Sequence, residues 1–223
     1  MTDPTEATDV PRSVPPRLRV GFVPGVTLSK WRRIWGERFP RNTLEMVGVH
    51  PAEQRAVLDD ARVDMCFVRL PIDRAGLHVI PLYEELPVVM VARDHPVALF
   101  EAVTLTDLAD EPVIDVNHPD AVDLVVCGAG VLLVPQSVAR THSRRDLVHR
   151  PVSDGTPTTI ALAWSVDHPS DLIEDFIGVV RGRTVNSSRA KSGPGPDAAP
   201  SRPAKTAGAG RPARRRGTRP RGR

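Results

Sequence analysis

Residues 17–30, RLRVGFVPGVTLSK, read as a buried strand, a Pro-Gly turn and the opening of a helix. Leu18, Val20, Phe22 and Val23 supply the strand, Pro24 and Gly25 break it, and Thr27 or Ser29 is placed to cap the helix that follows. That helix carries Leu28, Trp31, Ile34, Trp35 and Phe39 at spacings of three and four, an apolar stripe for a sheet, with Arg32, Arg33 and Arg38 turned to solvent. Free N–H groups at a helix start, beside two hydroxyls and Lys30, suit a small anion; the same residues equally suit an ordinary capped turn.

Downstream, strands and helices alternate. Thr43 to Val49 reads as a strand and Pro51 to Ala61 as a helix with Pro in its first turn. Val63 to Val68 is nearly continuous apolar sequence, which marks a central strand covered on both faces, and Arg69 to Ile72 then leave the sheet. Two strands follow, Leu77 to Leu82 and Leu86 to Ala92, separated by Tyr83, Glu84 and Glu85. A short helix from Thr104 to Ala109, an extended stretch from Val113, a helical stretch from Asp120 to Cys127 and a buried strand from Val131 to Pro135 come next. Leu147 to Val152 and Thr159 to Ser165 complete the strands, and Ser170 caps a closing helix with Leu172, Ile173, Phe176, Ile177 and Val180 on one side. This order predicts an α/β fold with mostly parallel sheets and helices on both faces.

Charge divides the chain. Residues 189–223 hold eleven Lys and Arg against one Asp, a net of +10, whereas the whole chain carries only +3, so the preceding residues are acidic. From Ser187 onward the composition is mainly Pro, Gly, Ala, Ser and Arg without a large apolar side chain, which predicts a disordered basic tail over 183–223. Residues 1–16 hold four prolines and no apolar run and read as a disordered leader rather than a signal peptide or membrane span, which predicts a cytoplasmic protein with no membrane partner.

Cys66 lies in an apolar run and Cys127 beside a Gly turn, and both read as small fillers; with no CxxC pair or His cluster, neither disulfide nor metal is expected. No GxSxG, HExxH, Walker loop or Rossmann fingerprint is present, so neither an enzyme nor a bound cofactor is expected. His95, His118 and His168 each precede Pro and read as turn residues.

Several separate motifs, in order, give the chain a resemblance. RLRVGFVPG, VGVHPAEQRAVLDDARVDMCFVRLP, the pair His95-Pro96, LTDLADEPVI and above all LVVCGAGVLLVPQSVA resemble the effector-binding (substrate-binding) domain of LysR-type transcriptional regulators, over roughly Arg17 to Arg181. The resemblance implies a type 2 periplasmic-binding-protein fold: two α/β lobes, two crossovers and a small effector in the cleft. Lobe I is then expected over about 17–92 and 153–182 and lobe II over about 93–152. Two departures stand out. The family's winged helix-turn-helix, expected before Arg17, has only sixteen residues in its place, and residues 117–123 nearly replace a helix and strand that the family places before LVVCGAG, which implies a reduced second lobe.

The family's effector contacts fall on Thr27, Leu28 and Ser29 at the first helix start, on His50 where the family often has Ser or Thr, on Arg69 and Leu70 at the crossover, and on the turn Gly128, Gly130 and Val131. Arg69 reads equally well as a hinge ion pair. In the tail, Arg211, Arg214, Arg215, Arg216, Arg219, Arg221 and Arg223 are candidate DNA contacts, and Pro220 to Arg223 resembles the core of an AT-hook. The resulting expectation is an effector-sensing protein of transcriptional control that pairs as a homodimer or with a full-length regulator, the tail contacting DNA. The alternative is a nucleoid-associated protein that binds through its tail, with the globule as a dimerising scaffold.

Overall fold

The computed structural model describes residues 16–182; the leader before Pro16, the basic tail and its seven arginines lie outside the described residues. The chain forms β1 (Arg17–Phe22), α1 (Ser29–Arg38), β2 (Thr43–Gly48), α2 (Ala56–Asp59), β3 (Met65–Leu70) and β4 (Leu77–Glu85). It continues through β5 (Pro87–Ala92), α3 (Ala121–Val126), β6 (Leu132–Pro135), α4 (Gln136–Thr141), β7 (Leu147–Pro151), β8 (Thr158–Ser165) and α5 (Asp171–Val180).

Two sheets result. The first has the order β2-β1-β3-β8-β4 and the second β6-β5-β7. Helical connections return the chain to the same end, so β1 pairs in parallel with β2 and β3, Val20 lying opposite both Met46 and Met65. β8 re-enters from the second sheet and pairs antiparallel with β3 and β4. The parallel pairing expected from the alternation is therefore confined among the named strands to β1, β2 and β3, and β5 pairs antiparallel with both β6 and β7.

The period of two in β3 feeds two cores. Met65 and Phe67 join Leu18, Val20, Ile160 and Leu162 beneath α1 and α5, where Trp31 stacks on Phe67 at 4.7 Å and Trp35 meets Phe176 at 5.7 Å. Cys66 and Val68 face the other way, against Val57 and Leu58 of α2. Each large apolar side chain so buried contributes on the order of 2 kcal/mol. Ser170 caps α5 as the sequence predicts, its hydroxyl accepting from Leu172 N–H at 3.3 Å. In the second sheet, Val88 and Met90 pack under Val125 and Ala139, while Val89 and Val91 pack against Val97, Val103 and Leu108.

Several local expectations are corrected. Tyr83, Glu84 and Glu85 belong to β4, and β5 belongs to the second sheet, so the first crossover is Leu86 and the lobe boundary falls there, not after Ala92. Arg69 and Leu70 are the last residues of β3 and do not leave the sheet; the strand stops at Pro71, which has no N–H to offer. The helix expected over 51–61 is a 3-10 turn, Pro51–Glu53, followed by the single turn of α2, because Gln54 at the break spends its amide on the backbone N–H and C=O of Arg69, both at 2.9 Å. The 104–109 helix shortens to Thr106–Leu108, with Thr104 Oγ1 accepting from Asp107 N–H at 3.2 Å. α1 starts from Leu28, and neither Thr27 nor Ser29 caps it.

Candidate functional site

The C-terminal ends of the parallel strands of an α/β sheet are where ligands bind, because loops there leave a crevice. Here β1 ends towards Pro24, β2 towards His50 and β3 at Arg69, and these three residues form one wall of a cleft of about 380 Å³. Residues 116–119, 132–135 and α4 with its following His142 form the other wall. The titratable and charged groups of the lining are His50, Arg69, His118 and His142, and no carboxylate lines it.

Arg69 is fixed in place. Its Nε donates to Glu85 Oε2 at 2.8 Å and its Nη2 to the Pro24 carbonyl at 2.9 Å. Glu85, at the end of β4, is 5% exposed, the one buried charged residue among those described. Its other oxygen accepts from the Ser137 hydroxyl in α4, so the pair also ties the first lobe to the second. A buried carboxylate held by a guanidinium and a hydroxyl has its desolvation offset, and the guanidinium keeps Nη1 for a further acceptor. Nearby, the Tyr83 phenol is held above its ordinary value, first by burial and then by the Glu85 charge.

Close approach of the lobes depends on Gly25. Its φ is +94°, and a Cβ there would overlap Ser137 Oγ and lie 3.0 Å from Val138 N. The start of α4 thus sits directly on the Pro24-Gly25 turn.

Of the residues expected to contact an effector, the structure brings His50 and Arg69 into the cleft. Thr27 and Ser29 are exposed outside its lining, and Leu28 is buried in the core beneath α1. Leu70 packs with Ile72 and Leu77 on the other face of the first sheet. Gly128 follows α3 at φ +73°, and its N–H donates to the Val125 carbonyl. Gly130 lies against Pro112, whose carbonyl accepts from Val131 N–H at 2.8 Å, so these three residues serve a helix end and a sheet edge outside the cleft lining. Sequence reading missed Glu85, Ser137, His118 and His142. The recurring His-Pro pair was the available signal for one of them; an acid ending an alternating strand and a serine inside an apolar motif gave none.

Among the described residues, no group of His, Cys, Asp and Glu could hold a metal ion, and no helix is long and apolar enough to cross a membrane. Cys66 is buried, which pushes its thiol up to about 12, and Cys127 is exposed.

Two lobes, two crossovers and an interlobe cleft define an effector-binding domain of the type 2 periplasmic-binding-protein class. The LysR substrate binding domain matches residues 12–122, and the chain belongs to that family. The Hca operon transcriptional activator HcaR of Escherichia coli (strain K12) is 23% identical over 204 residues, which cover 76% of this chain and 69% of that protein. A probable hydrogen peroxide-inducible genes activator of Mycobacterium avium is 28% identical over 160 residues, 57% of this chain and 51% of its own, so the chain spans about half the length of that relative. Among solved structures, the BenM effector binding domain with its effector benzoate aligns with a TM-score of 0.65 at 23% identity, covering 76% of this chain and 92% of that one. A Corynebacterium glutamicum OxyR C206 mutant aligns with a TM-score of 0.62 at 25% identity, covering 77% of this chain and 65% of that one.

Proposed function

We propose that this chain senses a small anionic metabolite in the interlobe cleft and acts in transcriptional control. The observation that carries the reading is Arg69: a guanidinium buttressed by Glu85 and Pro24 in a cleft lined by no carboxylate. A fixed cation with a spare N–H pair, in a crevice of this size, recognises a carboxylate or similar oxyanion. Ligand binding works by population shift: a ligand that contacts both walls favours the arrangement in which the lobes are close, and that arrangement presents a different surface to a partner. The partner in this reading is a second copy or a full-length regulator. The Arg-rich residues 189–223, with their net charge of +10, hold the protein near DNA through phosphate contacts.

The test is a thermal-shift screen of small carboxylates, phosphates and sugars against the wild type and Arg69→Met. Carboxylates should raise the melting temperature of the wild type only. Stabilisation by neutral sugars alone, or anion binding unchanged in the variant, refutes the reading.

A second reading follows from the charge of 189–223: a nucleoid-associated protein whose globule only dimerises. Deleting 189–223 separates the two. Retained ligand binding with lost DNA affinity fits the sensor, and loss of every measurable interaction fits the scaffold.

A further inference from the structure

Three His-Pro pairs of this chain form one repeated device. In His50-Pro51-Ala52, His95-Pro96-Val97 and His118-Pro119-Asp120, the histidine Nδ1 accepts from the backbone N–H two residues on, at 3.3, 3.2 and 3.1 Å. His50 and His95 share one backbone conformation, φ −65° and ψ 140° against φ −67° and ψ 141°, and each opens a 3-10 turn. A ring whose Nδ1 accepts carries its proton on Nε2, on the far side from the backbone, so each turn presents an N–H donor from a neutral imidazole.

His95 shows what the device does. Its Nε2 faces Glu111 Oε2 at 3.3 Å, a carboxylate within the second lobe. His50 and His118 are set in the same way, yet no hydrogen-bond partner faces their Nε2 among the described residues, and both line the cleft, one from each lobe.

We infer that His50, on the same wall as Arg69, and His118, on the facing wall, form a second anion anchor, so that the cleft takes a small dicarboxylate, one carboxylate on Arg69 and the other on the two imidazole N–H groups. The inference rests on the reading of the cleft as an effector site and names the class of ligand. A volume of about 380 Å³ suits a diacid of four to six carbons, and the apolar wall of Leu132, Val134 and Val138 suits its methylenes. Because the two imidazoles stand on opposite lobes, a diacid spans the cleft and a monoacid need not.

The experiment is calorimetric titration of the full chain with succinate against butyrate and adipate against hexanoate. The variants are Arg69→Met and the double substitution His50→Asn with His118→Asn. Asparagine keeps a side-chain acceptor for the N–H two residues on, and its shorter amide cannot carry an N–H to the position of the imidazole Nε2, so the turns persist while the distal contact is lost. The wild type is expected to bind at least one diacid about tenfold more tightly than its monoacid, roughly the effect of one charge-assisted hydrogen bond. The double variant should lose that factor and keep its monoacid affinity, and Arg69→Met should lose both acids. Equal affinity for diacid and monoacid, or a double variant that still prefers the diacid, overturns the dicarboxylate inference and leaves the anion site standing. If neither type of acid binds the wild type, the anion site falls as well.

Discussion

Gly25→Ala should open the cleft. The backbone there holds φ +94°, which costs a residue with a Cβ about 1–2 kcal/mol in either arrangement of the lobes. The added methyl also overlaps Ser137 Oγ and lies 3.0 Å from Val138 N, a backbone atom that moves only if α4 moves. Relief by withdrawal of α4 breaks the bond from Ser137 to buried Glu85, which, as a hydrogen bond to a charged group, costs about 1.5–3 kcal/mol. The expected destabilisation is therefore about 3–4 kcal/mol in urea unfolding, with weaker ligand binding and a larger radius of gyration by small-angle scattering. Ser137→Ala removes the oxygen that the methyl meets, so the double substitution should cost about 1.5 kcal/mol less than the sum of the two singles. Additive costs, or Gly25→Ala within about 0.5 kcal/mol of the wild type, would refute the argument that this contact holds the lobes together.

Arg69→Met leaves Glu85 charged and buried with only a hydroxyl, and should cost about 3–5 kcal/mol in urea unfolding; pairing it with Glu85→Gln should recover part of that, and no recovery would count against the ion pair. At pH 8 a disulfide reagent should modify one thiol of the folded protein, Cys127, and two after unfolding, because the Cys66 thiol, pushed up to about 12 by burial, supplies almost no thiolate; two fast thiols in the folded state would contradict this. The Asp107 carboxyl is held below its usual value by the Thr104 N–H and hydroxyl, so it contributes stability at neutral pH that is lost as pH falls through its lowered range. The stability gap between wild type and Asp107→Asn should accordingly be full near pH 7 and close on acidification; a gap independent of pH would refute the role of those bonds.

The strands of the core were legible because period two and continuous apolar runs leave few alternatives: Val63 to Val68 reads as a central strand, and β3 lies between β1 and β8 with both faces buried. Pairing direction was not legible beyond β3, since an antiparallel return such as β8 has the same local pattern as a parallel one. Arg69 offered two readings, ligand contact and hinge ion pair. The ion pair is there with Glu85, and Arg69 also lines the cleft in which the ligand contact is proposed. The helix-start residues Thr27 and Ser29 were drawn in by capping chemistry, but Leu28 took the cap position because its side chain belongs to the core. Glu85 was hidden because a pair of acids after an alternating strand looks like a loop until helix α4, on the far side of the hinge, brings Ser137 to the second of them.

The two links between the lobes differ in length. The outward link is Leu86 alone, whereas the return runs over residues 152–157, and both are stitched to the second lobe's strand ends, Gln136 N–H to the Leu86 carbonyl at 2.9 Å and Val152 N–H to the Pro87 carbonyl at 3.1 Å. Adjacent Cα atoms are a fixed ~3.8 Å apart, so a one-residue link cannot lengthen. It acts mechanically as a pin: the second lobe cannot draw away from it, and any rotation between the lobes has to pass through the torsions of Leu86 and of the longer return link. In the proposed reading a ligand beside Arg69 would sit near the fulcrum, where a small displacement would sweep the distant edge of the second lobe through a larger arc.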